Sequence, residues 1–456
     1  MTRFHVVGIG GAGMSAIARL LLARGHAVSG SDRGAWPLAA ALAREGATVH
    51  EGFDAEHLAG AEIVVRSSAY REDNPEVAAA LRRGLAVWRR EDAWRLLAEG
   101  QRVVAVAGTH GKTTTTALVW TALRAGGIDA SLVCGGTLRD LGANAHAGTS
   151  DVLVIEADEY DRAFHALRPD VAVVTNVEHE HVDVYPAVED VEEAFRAFVS
   201  GVVPGGALVA SADDAGAARL ARWMLAEVPG RATLTYGTAP EAAWRILDLT
   251  EDGGGLAFRV GLPGGGSLPA RLRLPGAHNA RNATAAVAAA EALGVPAIGT
   301  LPALAGFGGI ERRLEVLGDA GGVTVVDDYA HHPTEIRASI AAMRARSPAR
   351  LVALFQPHTP SRLAAFLDDF AAALSAADVR VVAETFASAR EREDPAGGAR
   401  ALAERSGASY ARSPEDAADA LAALVQGGDL VLVLGAGDIR AAGEGLLERL
   451  RASTPA

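Results

Sequence analysis

One residue among the 43 Lys+Arg of this chain is a lysine, Lys112. It stands in Gly108-Thr109-His110-Gly111-Lys112-Thr113-Thr114, between an apolar run at 103–107 and a helix-like stretch at 114–125. A strand, a glycine-rich turn, a lysine, a threonine and a helix predict a phosphate-binding loop. Backbone N–H groups cradle phosphate oxygens, the ammonium reaches the β- and γ-phosphates, and the threonine hydroxyl ligates a divalent cation. Lysine is a compact point charge and arginine a planar fork. A chain that uses arginine everywhere else keeps its lysine where the fork would not fit. The spacing is a variant: the general G-x-x-x-x-G-K-[ST] pattern wants a glycine where Val106 stands.

Three further clusters carry chemistry. Glu156-Ala157-Asp158-Glu159-Tyr160-Asp161 follows an apolar stretch at 151–155. A solvated acidic loop is the lesser reading; four carboxylates at a strand end beside a phosphate loop suit a hard cation, Mg²⁺ or Mn²⁺. Thr175-Asn176-Val177-Glu178-His179-Glu180-His181-Val182-Asp183 ends the next apolar run, at 171–175. Active groups of open α/β sheets gather at the carboxyl ends of strands, so both clusters are expected to converge on Lys112. The histidine spacing is not H-E-x-x-H, and zinc is discounted. Nearer the N-terminus, Gly8-Ile9-Gly10-Gly11-Ala12-Gly13 follows a strand at 4–7, and Asp32 closes the next, at 27–31. That turn suits a pyrophosphate, whether of a dinucleotide, with Asp32 on its ribose, or of a nucleotide-sugar. The phosphoryl-transfer motifs elsewhere favour the nucleotide-sugar. Finally, Asp327-Asp328-Tyr329-Ala330-His331-His332-Pro333 and Phe355-Gln356-Pro357-His358, with Arg362 after it, end two strands expected to lie side by side. An aspartate, histidines and an arginine there suit an amino-acid substrate and its developing charge.

The elements that must position these groups divide the chain. A length of 456 residues predicts about three domains. Residues 1–97 alternate strands and helices. Residues 98–310 open with the phosphate loop and change after about 206 to short strands with glycine-rich turns at 252–255 and 263–266, before a helix at 278–293. The glycine-rich 299–309 reads as a linker or hinge. Residues 311–456 are α/β again, with strands at 323–327, 351–356, 380–384 and 430–434 and helices at 361–374 and 414–424. Strands alternating with helices predict parallel sheets. With 49% hydrophobic and 22% charged residues the composition is that of an ordinary globular protein, and a net charge of −13 argues against a broad nucleic-acid surface. The single cysteine forms no intrachain disulfide. No apolar run spans a bilayer and the N-terminus enters a strand directly, which predicts a cytoplasmic protein without membrane insertion.

Taken together, the segments 8–15, 108–114, 156–161, 175–185, 278–282, 311–313, 327–335 and 355–362 resemble the Mur ligase family, the ATP-dependent amide-forming enzymes of peptidoglycan synthesis. The resemblance is strongest to those members that add L-alanine to UDP-N-acetylmuramate. It implies an α/β fold of three domains: a Rossmann-like N-terminal domain (1–97), a central P-loop ATPase-type domain with added β hairpins (98–310), and a Rossmann-like C-terminal domain (311–456). It implies a UDP-sugar site at Gly10, Gly11, Ala12, Gly13, Met14, Ser15, Asp32, Ser67 and Ser68. ATP falls to Gly108, Thr109, His110, Gly111, Lys112, Thr113, Thr114, Asn279 and Arg313. Mg²⁺ or Mn²⁺ falls to Thr113, Glu156 and His181, and the amino acid to Tyr329, His331 and Arg362. Lys112, His331 and Arg362 are then the catalytic set, in a monomer or homodimer. Two departures stand out: Glu180-His181 replaces the usual Asp-His, and Thr359-Pro360 follows Gln-Pro-His where some relatives carry Arg-Tyr. Members adding later amino acids use a carbamylated lysine to bridge metal ions. This chain has no second lysine, which excludes that device and agrees with alanine addition. Residues 156–164 lean instead towards members that attach a whole tripeptide. Outside the family the alternatives are a nicotinamide-dependent oxidoreductase built on the first glycine turn and a non-catalytic nucleotide switch.

Overall fold

The computed structural model describes every residue except Ala35, Asp183, Gly253, 387–396 and 454–456. Asp183, the last residue of the His/Glu-rich stretch, and Gly253, within one expected turn, therefore lie outside the described residues.

Three sheets carry the chain. The first holds β1 (Arg3–Val7), β2 (Ala27–Asp32), β3 (Thr48–Glu51), β4 (Ile63–Arg66) and β5 (Ala86–Arg89) in the order β3-β2-β1-β4-β5, all parallel. The second holds β6 (Arg102–Ala107), β7 (Ser131–Leu138), β8 (Ala143–His146), β9 (Val152–Glu156), β10 (Val171–Val174), β11 (Ala207–Ser211), β12 (Ala232–Gly237), β13 (Trp244–Glu251), β14 (Leu256–Gly261) and β15 (Ser267–Leu272). Its order is β15-β14-β13-β12-β11-β10-β6-β9-β7-β8, with antiparallel pairing confined to β13-β14-β15 and β7-β8. The third holds β16 (Glu315–Ala320), β17 (Val323–Asp328), β18 (Leu351–Phe355), β19 (Val379–Ala383), β20 (Ser409–Ala411) and β21 (Leu430–Leu434), ordered β16-β17-β21-β18-β19-β20. Only β16 runs antiparallel there.

The sequence explains the central strands. β6 (RVVAVA), β9 (VLVIE) and β10 (VAVV) are nearly continuous apolar runs and almost wholly buried, as strands covered on both faces must be. β6 lies between β9 and β10. The loops leaving their carboxyl ends, with Gly108, Asp158 and Asn176, are therefore neighbours, which is the expected convergence. In the first sheet β1 lies between β2 and β4, which brings the glycine turn, Asp32 and Ser67 together in the same way.

Three expectations fail. Residues 299–309 are not a linker: Ala297–Leu304 is a helix packed on Lys112–Ala125 and β15, with Leu301, Leu304 and Phe307 buried. Apolar spacing outweighed the glycines. The chain crosses to the third sheet just afterwards, where Arg312 (φ 60°) and Leu314 (φ 49°) take left-handed backbone and Glu311 N–H bonds Thr137 O. Second, β17 and β18 are not adjacent, because the fully buried β21 (LVLVL) inserts between them. Chain order alone cannot reveal a strand arriving late from the sequence. Third, the helix expected over 361–374 breaks at Phe366 into Pro360–Ala365 and Leu367–Leu374.

Candidate active site

The loop after β6 is shaped by contacts that forbid side chains. Gly108 has φ 136°, and a Cβ there would fall 1.9 Å from Thr175 Oγ1. Gly111 (φ 77°) is the N-cap of the helix Lys112–Ala125, in a conformation that suits glycine. The β10 loop completes the frame: Asn176 Oδ1 accepts the His110 N–H at 2.7 Å, and Thr175 Oγ1 donates to His110 O at 2.6 Å. Lys112 folds back over the loop. Its Nζ donates to Gly108 O (2.6 Å), Thr109 O (3.0 Å) and Glu159 Oε1 (3.0 Å). Burial alone would strip its charge, but the carboxylates of Glu159 and Asp158 outweigh it and raise its pKa. Three close acceptors in different directions suit an ammonium and not a planar guanidinium.

Oxygen ligands gather beside it. Thr113 Oγ1 donates to Glu156 Oε1 at 2.9 Å, and Gly135 N–H to Glu156 Oε2 at 2.6 Å. Burial raises the Glu156 pKa against the pull of Lys112. Asp158 is held in the opposite direction: burial opposes its charge, but Arg90, 2.7 Å away on the first domain's last helix, and Lys112 keep it ionised. His181, at φ 55°, directs Nε2 to Glu159 Oε1 at 3.3 Å. The expected metal set thus arrives as a direct pair, Thr113–Glu156, and as His181 joined to Lys112 through Glu159. One ligand atom each from Asp158, Glu159 and His181 lie within 4.8 Å of one another. Hydroxyl and carboxylate oxygens with one imidazole fit Mg²⁺ or Mn²⁺.

Two cavities meet at this loop. One, about 330 Å³, is lined by Gly111, Thr114, Tyr236, Asn279 and Arg313 among others. Asn279 is held there by its Nδ2 bond to Pro275 O at 2.7 Å. Burial, with Arg281 and Arg313 nearby, pushes the His278 pKa down to about 4. The other, about 620 Å³, runs from Gly10, Ala12, Gly13 and Trp36 past Thr109, Lys112, Thr113, Glu156 and His181 to Tyr329 and His331. Residues expected to hold three different substrates therefore face one continuous space.

At the first-domain end, Asp32 has little left to offer a ligand. Its Oδ2 accepts Gly10 N–H at 2.9 Å, and its Oδ1 accepts Arg33 N–H and the Tyr70 hydroxyl. Asp32 thus braces the glycine turn. Trp36 covers Gly10, where a Cβ would meet its ring at 2.5 Å. Met14 and Ser15 are buried, and Ser15 Oγ donates to Ala12 O. Ser67 N–H bonds Val7 O beside the turn, with Ser68 next to it; neither these two nor Gly11 line the large cavity. Asn144, from β8, donates to Ala12 O (2.6 Å) and Ser15 Oγ (3.0 Å). No sequence motif announced Asn144, Arg90 or Glu159's central position.

At the C-terminal end, Arg312 and Arg313 stack on the Tyr329 ring, 5.0 and 5.1 Å from its centre. His331 Nδ1 faces Tyr329 O at 2.9 Å and so carries the proton, which leaves Nε2 as a lone pair. Burial pushes the His331 pKa down to about 4. Arg362 is buried and committed elsewhere: its Nε donates to Glu180 Oε1 at 2.7 Å, across the domain boundary, and a terminal N–H to His358 O. It does not line the large cavity. The departure at Glu180 is thereby explained in part, since that carboxylate reaches the arginine of the third domain. Asp328, from the aspartate- and histidine-rich stretch after β17, is buried and pushed up to about 6, its carboxylate accepting Leu314 N–H and Ala330 N–H.

Comparisons with known proteins agree with this architecture. Family models match in three blocks: "Mur ligase family, catalytic domain" over residues 3–102, "Mur ligase middle domain" over 106–290, and "Mur ligase, glutamate ligase domain" over 312–437. A UDP-N-acetylmuramate–L-alanine ligase of Roseiflexus sp. (strain RS-1) is 44% identical, spanning 98% of this chain and 99% of its own. That of Streptomyces coelicolor is 45% identical, spanning 99% and 98%. Among solved structures, the UDP-N-acetylmuramate-alanine ligase MurC of Thermotoga maritima superposes over 100% of both chains with TM-score 0.84 and 27% identity. A murein peptide ligase from Psychrobacter arcticus does so with TM-score 0.78 and 26% identity. Three matched domains and full-length identity lead to one conclusion: this chain belongs to the Mur ligase family.

Proposed function

We propose that this protein joins L-alanine to the lactyl carboxylate of UDP-N-acetylmuramate, consuming ATP and releasing ADP and phosphate. The observation that carries this reading is the single cavity that joins the glycine turn, Lys112 and His331. The UDP group seats on the backbone N–H groups at the N-terminus of the helix Ala12–Ala23. ATP occupies the smaller cavity, its adenine end near Asn279 and its phosphates on the loop. A lactyl carboxylate oxygen attacks the γ-phosphorus, the bond to the β-phosphate oxygen breaks, and ADP departs. Lys112 and Arg313 offset charge on the transferring group. A divalent cation held by Thr113, Glu156 and His181 would supply further charge neutralisation there. The alanine nitrogen, as the free amine, then attacks the acyl carbon, the carbon–oxygen bond to phosphate breaks, and the amide forms as the nitrogen passes one proton to the departing phosphate and keeps the other. The bare Nε2 of His331 accepts a hydrogen bond from that nitrogen and aims it. Positioning and electrostatics are the protein's share of the work.

No helix among the described residues is long and apolar enough to cross a membrane, and we place the reaction in the cytoplasm with its ATP supply. The test is phosphate release with ATP, Mg²⁺ and UDP-N-acetylmuramate, offered each amino acid and the L-alanyl tripeptide in turn. Release with L-alanine alone is expected. Release only with the tripeptide would identify a recycling ligase, and absorbance change at 340 nm without ATP an oxidoreductase. Chelation should abolish turnover, and Mg²⁺ or Mn²⁺ should restore it.

A further inference from the structure

The two cavities meet at a wall that His110, Gly111, Ile310, Arg313 and Glu335 share. Among the described residues, Glu335 is the one carboxylate lining both. It belongs to the third domain, in the first turn of the helix Pro333–Arg344, whereas His110 belongs to the phosphate loop. Its side chain is nearly buried and ties three arms of the site together. Oε1 lies 3.4 Å from His110 Nδ1 and 3.9 Å from an Arg313 guanidinium nitrogen. Oε2 accepts the His331 backbone N–H at 3.0 Å. Burial opposes its charge, but His331, His110 and Arg313 outweigh it and keep the carboxylate ionised.

We propose that Glu335 is a positioning residue for phosphoryl transfer: it fixes His110 and Arg313 at the opening between the ATP and acyl-acceptor cavities, and only while the third domain is docked. The inference rests on the ligase reading, because that reaction must carry a phosphoryl group from one cavity to the other. The wall is where they touch, so the cations there must be in register at that moment. Glu335 acts through its partners. A guanidinium and an imidazole free to wander by an ångström forfeit much of their effect on the transferring group. His110 keeps a second anchor, Glu178 of the central domain at 3.5 Å, and Glu178 in turn accepts from Thr334 Oγ1 of the third domain at 2.9 Å. Among the described residues, two carboxylates thus connect the phosphate loop to the third domain, and of these Glu335 also reaches Arg313 and the His331 backbone.

The experiment compares the full-length wild type, E335Q, H110Q and the double variant in steady-state phosphate release with ATP, Mg²⁺, UDP-N-acetylmuramate and L-alanine. For E335Q we expect kcat to fall by about 10–100-fold while KM for ATP and UDP-N-acetylmuramate stays within about threefold. The double variant should fall no further than the worse single variant, since both remove one coupling. Undiminished kcat in E335Q, or losses that multiply in the double variant, would overturn the inference. If E335Q melts at a markedly lower temperature, E335D decides. It keeps the charge but shortens the reach, so wild-type kcat there overturns the positioning role, and lowered kcat at normal KM supports it. No turnover by the wild type with these substrates would overturn the ligase reading itself, and this inference with it; wild-type turnover matched by E335Q overturns this inference alone.

Discussion

The glycine turn after β1 and the phosphate loop after β6 are one backbone device to which the proposed function gives two tasks. Each follows a central strand of a parallel array and opens a helix, and each gathers N–H groups for an anion. They differ in what surrounds the turn. The first is braced by a carboxylate, Asp32, on Gly10 N–H, and carries no cation of its own. The second is braced by neutral groups, Thr175 and Asn176, and carries Lys112. A diphosphate that keeps its charge throughout the reaction is held well enough by dipoles and shape. A triphosphate whose terminal charge moves needs a mobile ammonium, ringed by carboxylates that keep it protonated.

The strongest way to break this contrast is Lys112→Arg. It preserves charge and should still lower kcat by roughly 10²–10³-fold, because the fork cannot meet the Gly108, Thr109 and Glu159 oxygens together. Near-normal phosphate release by a folded variant would show that charge alone suffices.

Alanine at the glycines sharpens the comparison. Gly108→Ala collides with Thr175 Oγ1 and should cost about 1–3 kcal/mol of stability as well as ATP binding. Gly11→Ala, at φ −69° with nothing nearer than Gly8 O at 3.4 Å, should change stability by no more than about 0.5 kcal/mol. Thermal melting of the two variants checks the order; equal losses would mean that both turns are equally constrained.

Asp32→Asn addresses the first turn alone. Weakening the brace on Gly10 should raise KM for UDP-N-acetylmuramate by about tenfold and leave kcat near normal. A fall in kcat with unchanged KM would give Asp32 a part in the chemistry.

The smallest effect concerns pH. Burial lowers the His110 pKa, but Glu178 and Glu335 outweigh it and lift the group to about 9. A folded-state value above the ordinary 6.5 stabilises the fold below pH 6.5, and the benefit is lost as pH rises through 9. The melting temperature should therefore decline between pH 6.5 and 9.5 by more in the wild type than in His110→Gln. Parallel declines would remove His110 from the interdomain contacts.

The sequence was most legible where one local rule governs. The apolar runs that became β6, β9 and β10, and the glycines at 108 and 111, each follow from a local requirement of backbone or burial. Residues whose role depends on a partner far along the chain stayed hidden. Arg90 acquires meaning only beside Asp158, Asn144 only beside Ala12, and Glu335 only beside His110. Arg362 shows the same limit from the other side. Its place in the turn after β18 was readable, but not its commitment to Glu180. The late insertion of β21 between β17 and β18 was equally out of reach, because strand order depends on the whole third sheet. The 299–309 segment misled because its glycines were weighed above the spacing of Leu301, Leu304 and Phe307.

Asn144 bears on how this protein can be taken apart. It is fully buried, holds Ala12 O and Ser15 Oγ, and receives Arg19, whose fork also grips Glu45. The helix that would seat the nucleotide-sugar is therefore finished by a strand more than a hundred residues downstream. A domain exchange cut near residue 97 would transplant an incomplete cradle, without the Asn144 amide that donates to Ala12 O and Ser15 Oγ. A graft that also carries β7 and β8 would transplant a whole one.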